Sequence, residues 1–325
     1  MDTSTLTRLF RSIKGSPEDD IVKIAYNIIS REKEKGHKNV ANSLLKILES
    51  NVTAKREEHS LNPLTFSTPL NSRNNIPLVT KIDREELRHD MILSQEIEKK
   101  FLRIEKEYIA RDRLLLSGLK PKQKIMFYGP PGCGKSMGAE RLAWDIGLPF
   151  LRINFEVIIS SFLGESLVNL RKVFDQVKTY PCVLLLDEFD FIAKSRDNKQ
   201  DVGEMSRIVN VMLNLLEDYD SPGIIIATTN LKDSIDTAMF RRFDDVIEIK
   251  KPEIEEISQL CKNTLSAMKV SKSINFKLIA KKLVGFSASD IVKLTQNAGK
   301  TAVLEGGDTV TMEHLTYAIN EYLSR

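Results

Sequence analysis

The sequence predicts an α/β body, a parallel sheet covered by helices, with a small helical module before it and a wholly helical unit after it. Three observations lead there. Short apolar runs at residues 125–128, 150–153, 183–186, 224–228 and 246–249 lack the polar alternation of a half-exposed sheet. Helical stripes lie between them, with Leu167, Leu170, Phe174 and Val177 in one and Met205, Ile208, Val209, Met212 and Leu216 in another. After Pro252 the pattern is helical throughout, with apolar faces across residues 257–268, 276–284, 291–303 and 315–323. Strands that alternate with helices pair in parallel, because each crossover returns the chain to the same end of the sheet.

The first fifty residues have the pattern of a separate helical module. Ser16 is placed as an N-cap, Pro17 fits the first helical position, and Glu18, Asp19 and Asp20 put negative charge where a helix N-terminus is positive. Ile21, Ile24 and Ile28 recur at helical spacing until Gly36, and the stripes Leu6, Leu9, Ile13 and Val40, Leu44, Ile47 mark two shorter helices. A core this small is weakly stable alone, so the segment is either a docking module or an extension packed on the main body. Residues 51–80 turn polar and contain Asn62-Pro63, Thr68-Pro69 and Ile76-Pro77, each proline followed by leucine. Proline disfavours helix in the residue before it, which makes an extended linker, with docking of the Pro-Leu segments in a groove as the sharper alternative. The expected organisation is a helical docking module (1–50), a linker (51–80), the α/β body (81–251) and a helical lid (252–325).

Composition excludes several classes. With 42% hydrophobic residues in 325, the chain buries at least one full core and is not disordered. A formal charge of +3 from 48 basic and 45 acidic residues argues against a general electrostatic grip on nucleic acid or an anionic membrane. Cys133, Cys182 and Cys261 lie far apart without paired spacing, so they build neither a zinc site nor a disulfide framework, and a reducing cytoplasm fits. No apolar run nears the roughly 18 residues of a bilayer span, and residues 1–10 lack the apolar stretch of a signal peptide. The expected location is cytoplasmic.

The chemistry starts at Gly129-Pro130-Pro131-Gly132-Cys133-Gly134-Lys135-Ser136, a complete phosphate-binding loop between an expected strand and an expected helix, with Met137 following it. Both prolines lack an N–H, so the amides that wrap the phosphates come from about Gly132 to Ser136, aided by the helix N-terminus. Lys135 is expected to reach the β- and γ-phosphates of ATP, and the Ser136 hydroxyl to ligate Mg²⁺. The Cys133 side chain occupies a position where many residues are tolerated, and its thiol is treated as incidental to a redox role. The buried run Val183-Leu184-Leu185-Leu186 ends in Asp187-Glu188. After a phosphate loop, such a pair divides its labour: Asp187 holds Mg²⁺ through its water shell, and Glu188 polarises a water for in-line attack on the γ-phosphate.

These residues resemble the AAA branch of the AAA+ superfamily, across about residues 90–322. Ser117-Gly118-Leu119-Lys120-Pro121, Asp187-Glu188-Phe189-Asp190 and Ala227-Thr228-Thr229-Asn230 all look like that family. The resemblance implies that Asn230 is the polar sensor of the attacking water or γ-phosphate, and that Asp90, Met91 and Ile92 line the adenine. Phe240-Arg241-Arg242-Phe243-Asp244 is similar to the adjacent-arginine finger of katanin-like members, in which the arginines reach the nucleotide of a neighbouring subunit. A heterologous contact of that kind closes into a ring, by resemblance a hexamer, and either arginine qualifies as the main finger. Gly285-Phe286-Ser287-Ala288-Ser289-Asp290 opens the third lid helix, with Ser287 as N-cap and Asp290 as its box partner. The resemblance implies that Ala288 and Ser289 approach the nucleotide, although Ala288 stands where the family usually has glycine.

Ser161-Phe162-Leu163-Gly164-Glu165-Ser166 resembles the aromatic-hydrophobic-glycine loop that lines the pore of protein-threading relatives, and polar residues 194–204 stand in the second pore loop's position. By that resemblance Phe162, Leu163 and Gly164 form the pore loop, in which Phe162 grips extended polypeptide and Gly164 lets the loop bend. No His-Glu-x-x-His occurs, so a fused zinc protease is not expected. The N-terminal segment, with Arg31-Glu32-Lys33-Glu34-Lys35-Gly36-His37, looks like that of bacterial AAA ATPases encoded beside subtilisin-like serine proteases. Two readings remain open: a ring motor that threads or unfolds a protein for a separate protease, and a nucleotide-dependent module that holds or regulates a partner without threading.

Overall fold

A computed structural model describes residues 25, 28–29, 32–33, 37, 40–48, 66–71, 75–159, 165–189, 202–230, 240–307 and 309–324. The chain divides into two units, residues 1–66 and 67–325. In the first unit, residues 40–48 are helical, and Ala41, Leu44 and Leu48 are buried with Ala25 and Ile29. That spacing is the one-sided stripe of an amphipathic helix. The expected N-cap at Ser16, the acidic turn after Pro17, most of the 51–80 linker, and the loop Phe162-Leu163-Gly164 lie outside the described residues.

The second unit is built on a six-stranded sheet of order β1-β3-β4-β5-β2-β6. Its strands are β1 (Val79–Ile82), β2 (Lys124–Tyr128), β3 (Phe150–Ile153), β4 (Val183–Leu186), β5 (Ile224–Thr229) and β6 (Asp245–Glu248). Five of them pair in parallel as expected, and all residues of β4 and β5 are buried. The expectation of a purely parallel sheet needs one correction. β1 lies antiparallel on the edge of β3, with Val79 opposite Ile153 and Ile82 opposite Phe150. Its sequence, Val-Thr-Lys-Ile, is too short and polar to announce a strand, and it begins two residues before the expected start of the body.

Helices cover the sheet. They are α1 (Gln95–Ile109), α2 (Arg111–Leu116), α3 (Lys135–Ile146), α4 (Phe155–Ile159), α5 (Glu165–Thr179) and α6 (Val202–Glu217). Ser94 caps α1, whose buried stripe Ile97, Phe101, Ile104 and Tyr108 belongs to the same core as β2 and α3. Phe101 stacks on Phe127 of β2 at 5.4 Å between ring centroids. In this way the sheet, α1 and the start of α3 are held as one block, and the phosphate loop leaves β2 and enters α3 from a fixed base.

The helical lid follows: α7 (Ile254–Thr264), α8 (Phe276–Lys282), α9 (Ala288–Leu304) and α10 (Met312–Leu323). Four helices match the sequence pattern, and a short parallel pair, β7 (Lys269–Val270) with β8 (Thr309–Val310), joins them. Ile257, Leu283, Ile291, Leu294 and Leu315 fill a core of their own. The Ser287 hydroxyl accepts from the Asp290 N–H at 3.2 Å and donates to the Asp290 carboxylate at 2.6 Å, which caps α9 as expected. That hydroxyl, the largest influence, holds the Asp290 carboxyl below the usual carboxylate range. A lowered carboxyl pKa supports the folded state above the unfolded value of about 4 and loses that support as pH falls through the lower folded value. Ser287→Ala is expected to cost about 1 kcal/mol, the usual worth of an N-cap, and to weaken the acid dependence of lid unfolding. Urea titrations at pH 7 and pH 3 check both effects. Among the described residues, no helix is long and apolar enough to cross a membrane.

Candidate functional site

A cavity of about 610 Å³ opens where the C-terminal ends of β2, β4 and β5 meet the first turn of α3 and the start of α9. That is where ligands bind open parallel sheets, because strand ends and helix N-termini point one way there. Its wall brings together Asp90, Met91, Ile92, Pro131, Gly132, Cys133, Gly134, Lys135, Ser136, Met137, Asp187, Glu188, Asn230, Ala288 and Ser289. Most of the residues picked from sequence therefore share one cavity. Gly129 and Pro130 meet it through Lys135, whose ammonium donates to the Gly129 carbonyl at 2.9 Å and to the Pro130 carbonyl at 2.8 Å.

The loop's glycines have a physical reason. Gly129 has φ +146°, and a Cβ there would lie 2.2 Å from the Ile249 carbonyl oxygen. Gly132 has φ +72°, and a Cβ would meet the Ser287 hydroxyl at 2.7 Å. Only glycine tolerates both the backbone angle and the contact. The Ser289 N–H donates to the Gly132 carbonyl at 2.9 Å, so the lid touches the loop directly. Cys133 is buried, its thiol donates weakly to the Pro131 carbonyl at 3.8 Å, and burial raises its pKa against the Ala288 backbone bond. A raised pKa disfavours the reactive thiolate.

At the floor, Asp187 gathers two hydroxyls on one oxygen: Ser136 donates at 2.7 Å and Thr228 at 2.5 Å. Thr228 also accepts the Glu188 N–H at 3.1 Å, while its carbonyl accepts the Phe189 N–H at 2.8 Å. Those two bonds hold Glu188 at φ +52°, a left-handed backbone for a non-glycine residue that costs on the order of 1 kcal/mol. Its side chain is exposed and lines the cavity, where water can reach it. An all-oxygen donor set from Ser136 and Asp187 suits Mg²⁺. When bound, the ion would be held by Ser136 and Asp187 and would offset the negative charge that develops in phosphoryl transfer.

Sequence reasoning missed several residues of the wall. Thr228 lies inside the Ala227-Thr228-Thr229-Asn230 run, but nothing in the run says which threonine turns toward Asp187. Leu260, Val292 and Lys293 arrive from the lid, and Arg88 from the segment before Asp90. Arg241 and Arg242, by contrast, are not part of the wall. Arg241 is exposed, whereas Arg242 pairs with Glu217 at the end of α6 at 2.7 Å and has a buried Nε with no hydrogen-bond partner among the described residues.

The phosphate loop on a mostly parallel sheet with a helical lid defines a nucleotide-hydrolysing P-loop protein. Residues 125–251 match the model of the ATPase family associated with various cellular activities (AAA), and residues 273–317 match the AAA+ lid domain. The uncharacterized AAA family ATPase y4kL of Sinorhizobium fredii is 32% identical over 308 residues, 95% of this chain and 92% of that protein. The chain belongs to the AAA family of ATPases. Its fold is the α/β AAA+ fold with a helical lid, and it is an ATP-hydrolysing enzyme.

Proposed function

We propose that this ATPase works as a ring, in which hydrolysis drives remodelling, unfolding or threading of a protein partner. One observation carries the ring. Arg241 is exposed and stands outside the wall of its own subunit's cavity, so a role at the nucleotide requires a neighbour's site. Arg242, tied to Glu217, is the anchor of the pair, and Arg241 is the main finger. Within the site, Lys135 leaves the loop carbonyls for the β- and γ-phosphates, Ser136 and Asp187 hold Mg²⁺, Glu188 takes a proton from the attacking water, and Asn230 orients that water. Asp90, Met91 and Ile92, with Ala288 and Ser289 opposite, enclose the base.

Threading rests on the likeness of Phe162-Leu163-Gly164 to a pore loop. The resemblance of the N-terminal segment makes a separately encoded subtilisin-like serine protease the first partner to test, with the N-terminal helices as its docking module. Phe162→Ala is expected to keep ATP turnover within a few-fold of the parent, because Phe162 contributes no group to phosphoryl transfer. Each engaged loop would lose about 1.5–3 kcal/mol of apolar burial on the polypeptide, enough for it to slip. ATP turnover and unfolding of a tagged fluorescent protein are measured in one preparation. Lost unfolding with retained turnover supports the motor. Unchanged control of the partner in the variant would favour the nucleotide-dependent holder.

A further inference from the structure

Glu140 lies on the second turn of α3, one turn beyond Ser136, and its side chain is 3% exposed. A carboxylate that deep needs partners, since an unpaired buried charge is costly. Arg88 supplies three hydrogen bonds: its backbone N–H at 3.0 Å and its Nε at 2.9 Å to one carboxylate oxygen, and Nη2 to the other at 2.5 Å. Arg152 of β3 adds a longer contact of 3.6 Å. The pairing is the two-pronged fork that arginine alone makes with a carboxylate.

Stability does not account for where Arg88 lies. Its side chain is 59% exposed, and it lines the cavity with Lys135, Ser136 and Asp187. The fork spends Nε and Nη2, so among the described residues the Nη1 edge is left for a second anion. Arg88 and Arg152 outweigh the single charge of Glu140, and Arg88 shares the cavity wall with the Asp187 carboxylate. A positive group, fixed from the phosphate-loop helix and turned to a polyanion's cavity, is preorganised to meet charge at no cost in rearrangement.

We propose that Arg88 is a second cation of the same subunit for the nucleotide's phosphate tail, positioned by Glu140, and that it favours the triphosphate over the diphosphate. This rests on the cavity being the nucleotide site. The role needs no neighbouring subunit, which separates it from Arg241.

The test measures affinities of the full chain for the Mg²⁺ complexes of AMP-PNP and ADP by calorimetry, with thermal unfolding alongside. Arg88→Ala is expected to weaken AMP-PNP about tenfold, the worth of one charge-assisted hydrogen bond, and to leave ADP within about twofold. Arg88→Lys, which keeps the charge without the fork, should recover part of the loss, and Glu140→Gln should shift the same ratio in the same direction. An unchanged AMP-PNP to ADP ratio in a folded Arg88→Ala protein, or in a folded Glu140→Gln protein where Arg88→Ala fails to fold, overturns the proposal and leaves Arg88 as a partner of Glu140 only. Lys135→Ala tests the cavity itself. If it binds both nucleotides as the parent does, the nucleotide assignment fails. If it abolishes both while the Arg88 variants keep the parent ratio, Arg88 alone is misassigned.

Discussion

Glu188→Gln is expected to bind ATP as the parent does and to lose about 10² to 10⁴ of its hydrolysis rate, the usual worth of a positioned general base. Glu188 is held by its backbone N–H on the Thr228 hydroxyl and by the Phe189 N–H on the Thr228 carbonyl, and a change at the side chain touches neither bond. Glutamine matches glutamate in size, so the left-handed backbone at φ +52° is no worse for it. The loop and Lys135, proposed to bind phosphate, are untouched. Only the carboxylate proposed to accept a proton from water is removed. Equilibrium binding of a fluorescent ATP analogue and steady-state phosphate release, measured together, check the two halves, and turnover near that of the parent would take Glu188 out of the role.

Arg241→Ala is expected to reduce hydrolysis by on the order of 10³, the lower end for an arginine supplied in trans, with nucleotide affinity and folding unchanged. Its side chain is exposed, so little stability is at stake, within about 0.5 kcal/mol. Arg242→Ala differs. It breaks the 2.7 Å pair with Glu217, whose partly exposed geometry is worth about 1 kcal/mol at most, and its loss of activity comes with a loosened Arg241 loop. Mixing Arg241→Ala with Glu188→Gln subunits should restore part of the activity, because some mixed interfaces combine an intact Glu188 with an intact neighbouring Arg241. Turnover that stays proportional to enzyme at all dilutions, in a species that sediments as a monomer, would overturn the trans role and the ring with it.

Much of the nucleotide site was legible because its residues are sequential. The phosphate loop needs glycines at fixed offsets and a lysine followed by a hydroxyl, and Asp187-Glu188 must follow an apolar strand, so short spacing carries the signal. The strands β2, β4 and β5 were equally plain, since burial on both faces demands near-continuous apolar runs, and β3 is broken only by the half-buried Arg152. β6 was weaker: at the sheet's edge only Ile247 of its four residues is buried. β1 gave no sequence signal, because an edge strand has only one neighbour to satisfy.

What the order of residues determined by itself was the class of chemistry and the layered architecture, both written in patterns a few residues long. Folding alone decided the groupings across long separations. It brought Thr228 and Ser136 to one oxygen of Asp187, set Arg88 on Glu140 across 52 positions, and tied Arg242 to Glu217 while leaving Arg241 exposed. Two adjacent arginines are equivalent in a sequence. They differ in the fold because a carboxylate at the end of α6 reaches one of them, and such a partner is chosen by the packing of helix on sheet, not by any local spacing.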